Sequence, residues 1–143
     1  RQNRRDADKL LRDTVARRFE EQHKRASLLQ TELIGAGKIE FVDDMEKATI
    51  KLQTFIDKIS RAPRGYSGLF DAVKINEKEL EAIYQFDAAF FDLGEQVGRA
   101  LDNVEQSLAD DAALPAAIRN LATLARLAVE TYEKRAEVVT ETN

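Results

Sequence analysis

Leu80, Ile83, Asp87, Phe90, Gly94, Val97, Leu101, Val104 and Leu108 follow one another at strict intervals of three and four. Side chains at that spacing fall on one stripe of an α-helix, and four heptads of it make a coiled-coil-like seam. A helix over 77–109 would be about 45–50 Å long at 1.5 Å per residue. Such a rod cannot bury its stripe alone. It must lie along other helices, and the rest of the chain supplies them.

The first segment, 3–34, repeats the pattern at Val15, Phe19, Gln22, Ala26, Leu29 and Leu33. Upstream, Ala7, Leu11 and Val15 are spaced by four, so the seam drifts there. The run Gly35 to Gly37 ends this helix, because glycine takes the left-handed C-cap conformation cheaply. A shorter helix over 44–60 follows. Asp43 and Glu46 stand at the spacing of a capping box, and Met45, Ala48, Leu52, Phe55, Ile56 and Ile59 form its stripe. Pro63 stops it, and the connector spans 61–76. Asn76 with Glu79 repeats the capping pattern at the head of the third helix.

The fourth helix, 115–139, opens with Pro115 at a position where a missing N–H costs nothing. Its stripe is Leu114, Ile118, Leu121, Ala125, Ala128, Tyr132 and Val139, widened by Leu124 and Leu127. The fold class is therefore all-α: an elongated antiparallel four-helix bundle, or long helical hairpins, within a single domain over 1–143. The short second helix should leave part of the apolar seam uncovered, which favours a dimer.

Composition narrows the function classes. The 143 residues are 43% hydrophobic and 34% charged, enough for a core with a large wet surface. There are no cysteines, which removes disulfides, thiol catalysis and cysteine-based zinc sites and fits the cytoplasm. No apolar run approaches the ~18 residues of a membrane span. The chain opens without a methionine or an apolar leader, and reads as trimmed or processed.

Net charge is −4 and unevenly spread. Residues 1–25 carry nine basic against five acidic side chains, and residues 76–143 carry six against fourteen. The two ends should attract each other, within one bundle or between subunits. A nucleic-acid partner would call for a basic domain, and this one is acidic. The basic first helix leaves an anionic membrane surface as an alternative partner.

Four features invite a chemical reading. Glu20 and His23 form Glu-x-x-His, the spacing by which ferritin-like bundles hold paired metals. That site needs a second such motif, and this is the sole histidine, so only a dimer could complete it. Asp87, set among Tyr84, Phe86, Phe90 and Phe91, reads first as a buried polar residue that fixes register against an arginine. Arg12, Arg17, Arg18 and Arg64 are the candidates. Gly94 and Gly98 leave room for a close helix crossing or a large side chain inserted opposite.

In the connector, Gly65 and Gly68 lack the spacing and the lysine of a phosphate-binding loop. Leu69, Phe70 and Val73 there read as core. Arg61, Arg64 and Tyr66 read as an outward interaction surface.

No nucleophile, base and orienting group stand together, so no catalytic residue, cofactor or resident metal is assigned. The expectation is a non-catalytic helical scaffold that forms homo-oligomers and docks a protein partner. A peripheral membrane-surface protein is the alternative, and a metal protein completed across a dimer comes third.

Overall fold

The computed structural model describes residues 9–60 and 77–141. Four helices account for nearly all of them. Helix α1 covers 9–35 and contains one wide π turn, Leu11–Val15, before the regular stretch Ala16–Gly35. Helix α2 is Val42–Ser60, entered through a 3-10 turn at Ile39–Phe41. Helix α3 is Glu77–Gln106 and α4 is Leu114–Glu141. At 19 residues, α2 is well short of the 30 of α3 and the 28 of α4. There is no strand among the described residues.

The turn after α1 forms as its glycines dictate. Gly37 has φ of 73°, its N–H donates to the Ile34 carbonyl, and Lys38 N–H donates to the Leu33 carbonyl. That pair of bonds is a Schellman cap, which satisfies carbonyls the helix leaves open. The helix beyond starts earlier than its expected cap. Because the 3-10 turn feeds directly into Val42, Asp43 and Asp44 sit inside the first turn, where their charge meets the positive end of the helix dipole. The expected capping role of Asp43 is thus replaced by a dipole contact.

Between α3 and α4, the Asp110 carboxylate accepts from the N–H groups of Ala112 and Ala113, holding the short turn that lets the two helices fold back.

The molecule is two antiparallel hairpins laid side by side. Helix α1 pairs with α2 and α3 with α4; across the hairpins α1 packs on α3 and α2 on α4. Contacts at Gln22–Gly94, Arg25–Asp102 and Lys38–Asp111 advance in the same direction along α1 and α3. Those two helices are therefore parallel, and so are α2 and α4. The Lys38–Asp111 ion pair ties the two hairpin turns together.

The seams bury as their spacing dictates. Leu11, Val15, Phe19, Ala26, Leu29 and Leu33 of α1 and Met45, Ala48, Leu52, Phe55 and Ile59 of α2 enter one core with α3 and α4. Phe55 is its centre. Its ring meets Phe19 at 4.5 Å between centroids, Phe90 at 5.4 Å and Tyr132 at 6.4 Å, so one aromatic layer takes a ring from every helix. The edge-on approaches to Phe19 and Tyr132 suit the ring quadrupoles.

Two expectations are corrected. Leu127 does not widen the α4 stripe: it is 42% exposed, while Ala117 and Val129 are buried in its place. Counting 100° per residue, Leu127 lies on the far side of the helix from Leu121 and Tyr132. The uncovered seam beyond the end of α2 is also absent among the described residues. Leu11, Leu80 and Ile83, which extend past Ser60, are all buried.

Candidate functional site

One turn beyond the aromatic layer, Asp87 of α3 faces Arg135 of α4. The Arg135 Nε lies 3.7 Å from the Asp87 Oδ1, and both side chains are shut from water, at 7% and 4% exposure. The register explains the pairing. Phe90 and Tyr132 both meet the Phe55 ring, one from each arm of the antiparallel hairpin, and residues three before the first and three after the second lie one turn along. Asp87 is buried and paired with an arginine, as its place on the seam requires. Among the described residues the arginine that faces Asp87 is Arg135, which was not among the candidates; Arg64 lies outside the described residues. Arg17 and Arg18 are exposed on α1. The signal for Arg135 was in the sequence: it lies three residues after Tyr132 and continues the α4 stripe. Tyr84 and Phe91, which flank Asp87 in sequence, turn outward at 44% and 39% exposure.

The α1–α3 seam is polar along its middle. Gln22 is buried and its Nε2 donates to the Gly94 carbonyl at 2.5 Å. A Cβ on Gly94 would stand 2.9 Å from Arg18 Nε and 3.0 Å from its Cδ, so this glycine makes room for the arginine stem laid across it. That is the inserted side chain expected opposite the small residues. At Gly98, a Cβ would meet only Gln22 Nε2, at 3.6 Å. Arg25 then donates to the Gly98 carbonyl at 3.4 Å, to Glu105 at 3.0 Å and to Asp102. Burial alone would ease loss of the Arg25 proton. The bonds and charges of Asp102 and Glu105 outweigh it and hold the guanidinium pKa above its ordinary value. The attraction between basic first helix and acidic second half is thus realised inside one chain.

The remaining predicted site residues do not converge. Glu20 is exposed and His23 half-buried on the flank of α1. No group of three or more metal-binding side chains occurs among the described residues. Arg61, Arg64 and Tyr66 lie outside the described residues, as do the glycines of their loop and the apolar Leu69, Phe70 and Val73. No helix among the described residues is long and apolar enough to cross a membrane.

Two surface features were not anticipated. An open groove of about 420 Å³ runs between α3 and α4, lined by Gln96, Arg99, Ala100, Asn103, Asn120 and Leu124. On the first hairpin, Leu28, Ile34, Ile39 and Ile50 are 65%, 54%, 69% and 53% exposed. The seam arithmetic shows them off the core stripe but does not by itself mark them as a surface.

Comparison with protein families, with characterised proteins and with solved structures finds no significant match. The functional reading rests on the geometry.

Proposed function

We propose that this chain is a non-catalytic interaction module: a helical bundle that self-associates and docks a protein partner, working in the cytoplasm. The observation that carries it is the set of exposed apolar side chains on the first hairpin. Of seven large apolar side chains exposed among the described residues, four belong to that hairpin, and Ile34 and Ile39 flank its turn. Scattered apolar residues are ordinary on a protein surface. Four of this size at half exposure or more on one hairpin support an association surface. The side chains with chemical capacity serve another end: Asp87 is paired with Arg135, and Gln22 and Arg25 reach across to α3.

Self-association is tested by size-exclusion chromatography with multi-angle light scattering over a concentration series. The expected result is a mass that rises towards twice 16.2 kDa. A strict monomer at the highest concentration overturns the self-association half of the proposal.

A further inference from the structure

Helix α1 has a second, outward stripe. Counting 100° per residue along the regular stretch Ala16–Gly35, Arg17, Lys24, Leu28 and Gly35 fall within about 40° of one another, on the side turned away from the buried Gln22, Ala26, Leu29 and Leu33. All four are exposed, as are Glu21 and Glu32 at the edge of the same stripe. Leu28 is its one large apolar side chain, at 65% exposure. Charge is sorted to either side of it. Residues 9–27 carry six basic against three acidic side chains, and residues 29–47 carry two against five. Arg17, Lys24, Glu32, Glu40 and Asp43 are exposed and engage in no ion pair among the described residues.

We infer that a second copy of this chain docks on this stripe, antiparallel to the first, about a two-fold axis beside Leu28. The inference rests on the self-association proposed above and assigns its face and orientation. A parallel pairing sets basic half on basic half and acidic on acidic. The antiparallel pairing sets each basic half against an acidic one, the arrangement that complementary charge favours. Lys24 and Glu32 stand four residues either side of Leu28, so Lys24 of each copy comes alongside Glu32 of the other. The three form one i±4 ridge, and such ridges pack in the commonest class of helix crossing. Glu21, an acid within the basic half, comes opposite Gly35, which bears no charge and at which a Cβ would meet nothing within 4 Å. The turn beyond, with Ile39 and Glu40, comes alongside Arg17. Two-fold symmetry makes every contact twice and closes the assembly at two copies. Much of the attraction is between exposed charges, so raised salt loosens it.

A charge exchange tests the orientation. Lys24→Glu and Glu32→Lys each turn two attractive contacts into two repulsive ones, and each alone should weaken self-association about tenfold in sedimentation equilibrium. An equal mixture of the two variants restores both contacts and should associate as tightly as the unmodified chain. Both substitutions are at exposed positions, and melting temperatures check that the variants are folded. The axis is tested separately. The chain has no cysteine, so Leu28→Cys supplies a sole thiol, which should oxidise to a covalent dimer far faster than the sole thiol of Leu127→Cys on α4. A mixture no tighter than its separate components overturns the inference, as does a Leu28→Cys chain that cross-links no faster than Leu127→Cys; either result leaves self-association standing. An unmodified chain that stays monomeric removes both.

Discussion

At the scale of single residues, a few side chains carry disproportionate weight. Removing one partner of a buried ion pair strands the other charge, at a cost of about 3–5 kcal/mol. Asp87→Ala should therefore lower the urea-unfolding free energy by that amount, and Asp87→Leu combined with Arg135→Met should recover most of it. Recovery identifies the pair as a register device rather than the main source of stability. The glycines divide in the same way. Gly98→Ala places its methyl in ordinary contact and should stabilise by about 0.5–1 kcal/mol. Gly94→Ala must first push the Arg18 stem aside and should gain less; thermal melts of the two variants give the order. Arg25 behaves differently again. Its side chain is 36% exposed, and its links to Asp102 and Glu105 should be worth about 0.2–1 kcal/mol. Because its folded pKa is raised, that contribution is complete below the ordinary guanidinium value and is lost only as pH climbs through the raised one. Across the neutral range it is constant. Salt, not pH, should weaken the Arg25 contacts there, and Arg25→Ala should flatten the salt dependence of the melting temperature.

At the scale of helices, spacing carried most of the information. The alternation of threes and fours placed Phe19, Phe55 and Phe90 in the core because side-chain direction follows from helix period alone. It placed Asp87 there too, against its polarity. Spacing was silent where two helices must be known at once. Arg135 became the partner of Asp87 only when the length of the Ser107–Ala113 turn fixed which residues of α3 and α4 stand opposite. Leu127 failed for a related reason: large and apolar, it belongs to no stripe, and composition alone cannot show that. The drift at Leu11 was visible in the sequence. A π turn as its resolution was not, because a helix can also answer such a drift by bending or supercoiling. The aromatic layer gives a direct check at this scale. Phe55→Ala removes the ring that meets all three other helices and should cost about 3–5 kcal/mol. An equivalent truncation of the outward Phe91 should cost far less.

At the scale of the whole molecule, the arrangement is two hairpins sharing one core, with parallel contacts between hairpins and antiparallel contacts within them. Arg25 of the basic first segment meets Asp102 and Glu105 of the acidic second half across α1 and α3. The proposed self-association would draw on the exposed Leu28, Ile34, Ile39 and Ile50 of the first hairpin. Those side chains are more than half exposed, so replacing them should leave folding intact. The most direct measurement is sedimentation equilibrium of the unmodified chain beside Ile34→Glu/Ile39→Glu, with melting temperatures recorded for both. The proposal requires the unmodified chain to associate and the double variant to sediment as a monomer with its melting temperature essentially kept. An unmodified chain that stays monomeric, or a double variant that associates as tightly as its parent, would contradict it.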